Sequence, residues 1–192
     1  LIGDHKQLPA VVQQNTEQSA IYDESLLSIG LTNLKDSLFE RLYRNCTATV
    51  HRSYDMLCRQ GRMHPEVALF ANRAFYGGRL IPVGLPHQIE SSDAICRLAF
   101  YPSVPEKVGA SAKINYSEAR IVAGLAVRIY EDHQTDFDEA RTLGIITPYR
   151  SQIALIKKEI ESLGIPVLNR ILVDTVERFQ GSERDVIIYS FC

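Results

Sequence analysis

The 192-residue sequence carries a formal net charge of -2, a hydrophobic fraction of 45% and a mean hydropathy of -0.09, the balance of a globular protein with a substantial core. No apolar run approaches the roughly 18 residues of a membrane-spanning helix and no signal-peptide pattern opens the chain, so no membrane partner is expected. Cys46, Cys58, Cys96 and Cys192 are too scattered for a zinc site or a disulfide framework, which points to an intracellular setting, cytoplasmic by default with the nucleus not excluded.

Residues 1–10, LIGDHKQLPA, open as if at the end of a strand and suggest a piece of a longer protein. Residues 11–20 are polar, Gln-rich and without period, as a loop would be. Residues 21–31 and 34–43 read as helices, the second with Leu34, Leu38 and Leu42 spaced by four behind a possible Asn33 cap. Arg41, Arg44, Arg52, Arg59, Arg62, Arg73 and Arg79 make residues 41–79 basic, whereas Glu131, Asp132, Asp136, Asp138 and Glu139 gather negative charge elsewhere. Either cluster reads as a solvated face if nothing else is known of it.

Pro65 suits the first turn of a helix reaching about Phe75, with Val67, Phe70 and Ala74 on one face and Gly77-Gly78 as its stop. Gln60, Arg62 and His64 then lie at the mouth of that helix, where backbone N–H groups and the helix dipole favour an anion. Residues 81–112 are loop-rich, with a strand expected at 95–101. Asn115 and Glu118 have the spacing of a capping box, ahead of a helix with Ile121, Val122, Leu125 and Ile129 as its buried stripe.

Residues 143–147 read as a buried strand, followed by TPYRSQ and a helix over 150–163 stopped by Gly164. Thr147, Tyr149 and Arg150 thus fall at a strand's carboxyl end, where a backbone phosphate could be held. The chain closes on VDTVERFQGSERDVIIYSFC, a polar loop between apolar strands at 171–173 and 186–191. A hydroxyl (Thr175), an amide (Gln180), a glycine (Gly181) and a carboxylate (Glu183) past a strand suit a phosphate and a sugar, although an ordinary polar turn has the same composition. Strands near Tyr54, Ala99, Ile146, Leu172 and Ile188, separated by helices, predict an α/β fold with a mostly parallel sheet and helices on both faces.

The final segment, V-D-T-V-x-x-F-Q-G-x-E-x-D before an apolar strand, resembles motif V of superfamily 1 helicases of the up-frameshift and DNA helicase-nuclease branch. Two further strings stand in that family's order. G-D-x-x-Q-L-P at residues 3–9 resembles motif III, and Q-G-R-M-H-P at 60–65 resembles motif IV. The resemblance covers nearly the whole chain and implies a RecA-like, P-loop NTPase type fold. Residues 1–47 would be the end of the first RecA-like domain with its connecting helices, and residues 48–192 the second, ending before motif VI.

The family also implies roles. Gln7 and Arg62 would serve catalysis, Gln7 by contacting the terminal phosphate of ATP and Arg62 by reaching the γ-phosphate, where its fork can counter developing charge. Gln60, Gln180, Gly181 and Glu183 would face the nucleotide, with Glu183 on the ribose. Pro9, Thr147, Pro148, Tyr149, Arg150 and Thr175 would belong to the track of single-stranded DNA or RNA. The expected function is half of the ATP cleft and part of that track in an ATP-dependent helicase, in partnership with the remainder of the first RecA-like domain. The alternative is a non-catalytic, helicase-like binding or scaffolding module, because Gly61 stands where the family has a tyrosine stacked on adenine. His64 is expected to support the helix start. No GxxxxGK[ST] loop occurs, and the ligands of Mg²⁺ are expected outside these residues, so the chain alone is expected to be inactive.

Overall fold

The computed structural model of the protein describes residues 1–8, 12–48, 53–89, 97–104 and 113–192. Pro9 and part of the strand expected at 95–101 lie outside these residues. The chain divides into two compact units, Leu1–Leu98 and Ala99–Cys192.

The first unit is built from short elements tied by polar caps. Helix α1 (Thr16–Ser19) interrupts the expected loop and starts on Asn15, whose side chain accepts from Gln18 N while the Gln18 side chain accepts from Asn15 N. Helix α2 (Glu24–Ser28) starts on Asp23 and is shorter than its apolar pattern suggests. Helix α3 (Leu38–Ala48) starts four residues later than expected. Asn33 pairs with Ala20 in an antiparallel bridge and accepts from Lys35 N, and it is Ser37 Oγ that receives Glu40 N. Strands β1 (Arg59–Gln60) and β2 (Ile81–Pro82) pair in parallel around helix α4 (Pro65–Tyr76).

Helix α4 has the predicted limits for the predicted reasons: Pro65 in its first turn, His64 as N-cap and Gly77 in the left-handed region at φ 60°. The face that carries Val67, Phe70 and Ala74 is not the one it buries. Ala68 is buried, whereas Val67 and Phe70 are exposed and Phe70 meets Phe75 edge-on. The apolar spacing identified a helix but not which of its sides is covered. A short helix, α5 (Pro86–Ile89), falls in the segment read as loop. Residues 53–58 and 97–104 contain no strand, so the strands expected near Tyr54 and Ala99 are absent among the described residues.

The second unit holds a three-stranded parallel sheet ordered β4-β3-β5, from β3 (Leu143–Ile146), β4 (Leu172–Asp174) and β5 (Val186–Tyr189). β3 is central and buried at every residue, as its continuous apolar run requires. Leu143 and Ile145 point to one face, where with Val173 they join helices α6 (Tyr116–Asp132) and α7 (Arg150–Ser162) in a single hydrophobic cluster. Along α6 the residues most deeply buried are Ala119, Val122, Ala123 and Ala126, with Ile121, Leu125 and Ile129 only half-buried. Small residues let α6 approach closely, and the larger aliphatics flank the contact. Asn115 caps α6 as predicted by accepting from Glu118 N, but Glu118 does not complete the box. Its carboxylate accepts from Cys192 N at 3.1 and 3.2 Å.

On the opposite face, Gly144 lies under the ring of Phe179, the last residue of helix α8 (Val176–Phe179). A Cβ there would stand 2.5 Å from Phe179 Cε1 and 3.0 Å from Arg184 Cγ. The glycine is what lets the chain after β4 lie against the sheet. Gly144→Ala is expected to destabilise this unit by about 1–3 kcal/mol through overpacking, read as a lower urea midpoint at unchanged m-value.

Candidate functional site

In the first unit, the motif III segment is held from both sides. Asp4 accepts from Lys6 N at 2.9 Å, from Gln7 Nε2 at 2.9 Å and from the Tyr76 hydroxyl at 2.7 Å. The amide of Gln7, the residue expected at the terminal phosphate, is therefore occupied by a carboxylate that the end of α4 holds in place. His5 stacks on Tyr43 of α3 with ring centroids 4.6 Å apart, and Gly3 lies against Phe39, whose Cδ2 would be 2.7 Å from a Cβ.

Burial pushes the Tyr76 hydroxyl up from 10.0 to about 12, helped by its hydrogen bond to Asp4 and by that residue's charge. Burial also acts to raise the Asp4 carboxyl, but hydrogen bonds from Tyr76, Lys6 N and Gln7 outweigh it and hold the group below its ordinary range.

The motif IV segment forms a loop leaving β1, with Arg62 exposed on it. The side chain of Gln60 folds back on this loop: its Oε1 accepts from Arg62 N at 3.0 Å and Met63 N at 2.8 Å, and its Nε2 donates to Met63 O at 2.7 Å. Gln60, expected at the nucleotide, is thus engaged chiefly in shaping the loop. His64 Nδ1 accepts from Glu66 N at 3.3 Å, the supporting place at the helix start that its position suggested. At Gly61 the direction a side chain would take leads to Leu85 Cδ1 and Val83 Cγ2, 3.3 and 3.4 Å from an added Cβ.

In the second unit, parallel pairing brings the carboxyl ends of β3 and β4 side by side, with Ile146 opposite Asp174 and Thr147 N donating to Asp174 O at 3.2 Å. Thr147, Pro148, Tyr149 and Arg150 follow one strand and Thr175 the other, so these residues are gathered at one end of the sheet. Thr147 is fully buried, yet its Oγ1 has no hydrogen-bond partner. Such an atom normally costs about 1–3 kcal/mol, which a ligand oxygen or water would recover. Helix α7 starts on Tyr149, two residues after Thr147, without a side-chain cap on its first-turn N–H groups, and Arg150 is exposed at the first helical position. The Lys113 ammonium lies 6.0 Å over the Tyr149 ring.

Thr175 is less free. Its N–H donates to Asp174 Oδ1 at 2.8 Å, and its hydroxyl bonds to Glu177, the main cause of that carboxyl's lowered pKa. An anion would have to displace these carboxylates.

Gln180, Gly181 and Glu183 do not share the carboxyl end of the sheet. Because β4 and β5 both run parallel to β3, the connection must return to the sheet's amino end, where Asp185 N donates to Arg141 O and Val186 N to Thr142 O. α8 carries it there across Gly144. Gln180 at φ -57°, ψ 127° and Gly181 at φ 84° form the centre of a turn closed by Ser182 N donating to Phe179 O at 2.9 Å. Those angles define a type II turn, in which the third position requires a glycine-like φ. Nothing lies within 4 Å of where a Gly181 Cβ would stand, so the glycine serves the turn and leaves the space beside it open. Gln180 and Glu183 are exposed.

Sequence reading missed two buried amides. Gln152, the last residue of TPYRSQ, is fully buried and joins α7 to Asn115 and Ser190. Gln88 lies in a segment without a motif. A lone Gln at a helix position otherwise reading as core was the available signal for the first; nothing in the sequence marked the second. Among the described residues, no group of three or more His, Cys, Asp or Glu side chains is placed to hold a metal ion, and no helix is long and apolar enough to cross a membrane.

Residues 34–192 match the family described as an AAA domain. A probable helicase of Dictyostelium discoideum is 31% identical across 99% of this chain and 18% of its own length. The probable helicase senataxin of Mus musculus is 28% identical across 98% of this chain and 7% of its own length. The DNA replication ATP-dependent helicase/nuclease DNA2 of Xenopus laevis is 29% identical across 100% of this chain and 19% of its own length. The chain therefore spans less than a fifth of each of these relatives.

The Tyr76–Asp4 bond has a pH signature. A tyrosine whose folded pKa is raised contributes stability that is whole below the unfolded value and lost as pH rises through the folded one. The stability difference between the protein and its Tyr76→Phe variant should hold up to about pH 10 and vanish by about pH 12. For Asp4 the sign reverses, and its contribution should be lost only below the ordinary carboxylate pKa of 3.8. The ultraviolet difference titration of the two proteins should show one phenol titrating near pH 12.

Proposed function

Because this chain belongs to the AAA domain family of superfamily 1, up-frameshift-type helicases, we propose that it is the second RecA-like domain of an ATP-dependent helicase, residues 48–192, preceded by the end of the first, residues 1–47. The observation that carries this reading is the end of the β4-β3-β5 sheet, where a buried hydroxyl without a partner, an uncapped helix start and an exposed arginine follow β3 within four residues, Thr147 to Arg150. These groups suit one phosphate of a single strand of DNA or RNA, held by Thr147 and the first turn of α7, with Arg150 beside it and Pro148 and Tyr149 fixing the entry. Thr175, and by family resemblance Pro9, are likewise assigned to single-strand binding. Such contacts read the backbone and not the bases.

ATP is the substrate. Arg62 acts on the charge that develops on the transferred phosphoryl group, and Gln7 senses the terminal phosphate once its amide leaves Asp4. Gln180, Gly181 and Glu183 take the nucleotide's sugar side, with Glu183 an acceptor for ribose hydroxyls. Any magnesium ion would have to be held by residues other than these. With no GxxxxGK[ST] loop, the 192 residues alone should not turn over ATP, and the setting is intracellular. One observation favours the alternative, a non-catalytic helicase-like module: Val83 and Leu85 fill the direction a ring at Gly61 would take. Nucleic-acid-stimulated ATP turnover by the full-length protein supports the enzyme, and its absence supports the module.

Arg62→Ala in the full-length protein should lower kcat by about 10³-fold or more while ATP affinity changes little, as expected of a group acting on the transition state. Steady-state turnover and equilibrium nucleotide binding check this, and equal losses in both would remove Arg62 from that role. Arg150→Ala should weaken single-strand binding by a similar factor for every base sequence and lower the salt slope by about 0.7. Titrations with labelled strands at several salt concentrations measure both quantities.

A further inference from the structure

Gln88 spends its whole side-chain amide inside the first unit. It is 3% exposed, on the short helix α5. Its Nε2 donates to Gln60 O at 3.0 Å and Met63 O at 3.1 Å, and its Oε1 accepts from Gly84 N at 3.2 Å and Leu85 N at 3.3 Å. Both amide hydrogens and both lone pairs are therefore spent on backbone groups, which also fixes the orientation of the amide. Met63 O receives the Gln60 amide as well, and His87 Nε2 lies 3.0 Å from Gly61 O. A carbonyl can only accept, so Nε2 carries the proton of that bond.

Together Gln60, His87 and Gln88 engage backbone groups of residues 60–63 while the Arg62 side chain stays exposed. β1 supplies only two residues of ladder before this loop, so the loop's shape depends on amide hydrogen bonds more than on the sheet.

We propose that Gln88, acting through Gln60, is a positioning residue that fixes the backbone from which Arg62 works in ATP hydrolysis; this rests on the reading of Arg62 given above. Misplacing a catalytic group by about 1 Å can cost on the order of 10²-fold in rate, and a loop with its carbonyls released has that freedom. Gln88 touches no substrate in this scheme, so its loss should appear in kcat and only through Arg62.

The test uses the full-length protein with saturating single-stranded nucleic acid, measuring kcat and KM for ATP in Gln88→Glu, Arg62→Ala and the double variant. Gln88→Glu keeps the acceptor for Gly84 and Leu85 but sets a carboxylate against two carbonyls. It should lower kcat about 10- to 100-fold with KM within about 2-fold, and it should add nothing on the Arg62→Ala background. If Gln88→Glu does not fold, the neutral, near-isosteric Gln88→Met is measured against the same outcomes. Wild-type kcat in the Gln88 variant beside an impaired Arg62→Ala would overturn the positioning role and leave Arg62 standing. A full further loss on the Arg62→Ala background would also overturn it, because the effect would not pass through the arginine. Wild-type kcat in Arg62→Ala would instead overturn the reading of Arg62 itself, and the positioning role with it.

Discussion

The second unit depends on one buried amide. Gln152 Oε1 accepts from Asn115 N at 2.9 Å, while its Nε2 donates to Asn115 O at 3.2 Å and Ser190 Oγ at 3.4 Å. Asn115 caps α6, Ser190 follows β5, and Gln152 sits in the first turn of α7. Three elements that an apolar core could pack in several registers are thereby pinned at one end of the sheet. An amide in this position is costly if any partner is missing, which is how it specifies a single arrangement. The same end of the sheet carries Thr147 and Arg150, so the network that fixes the fold also fixes the proposed phosphate contacts.

The two units are held by different physics. In the second, Leu143, Ile145, Ile156, Ile160 and Leu168 are each no more than 1% exposed and form the heart of one apolar cluster. Burying such side chains contributes roughly 1.5–3 kcal/mol apiece, enough to hold strand β3 without any polar alternation. In the first unit, Ala68 is the buried hydrophobic residue among those described, and the local geometry rests on Asn15, Asp23, Gln60, Asn72 and Gln88. Hydrogen bonds are directional, so they fix the conformation of a loop closely even where they add little net stability. The loop proposed to present Arg62 to a phosphate would need that kind of precision.

Parallel topology divides the last twenty or so residues between the two ends of the sheet. A hairpin would have returned directly and left the whole polar segment at one edge. Two parallel strands force the connection to cross the sheet, and Gly144 leaves the space that Phe179 needs to cross it closely. Thr175 stays at the carboxyl end with Thr147, while Gln180 and Glu183 are carried to the amino end. The contacts proposed for a strand backbone and for a nucleotide would thus come from the two ends of a single short segment.

The sequence by itself determined the α/β class, the helices at Pro65 and Asn115, the strand at Leu143 and the order of the motif residues. Each of these is a local property: a proline in a first turn, a cap, a run of β-branched residues, a glycine stop. Only the tertiary structure decided which side of α4 is covered, that Glu118 binds Cys192 and not its own cap, and that Ser37 rather than Asn33 starts α3. The same holds for Gln60, which spends its amide on its own loop, and for Gln88, 28 residues distant in sequence from Gln60. The physical reason is common to all of them. A polar side chain takes whichever partner the fold brings within about 3 Å, and a helix buries whichever side meets a neighbour, so neither choice is written in the spacing of residues along the chain.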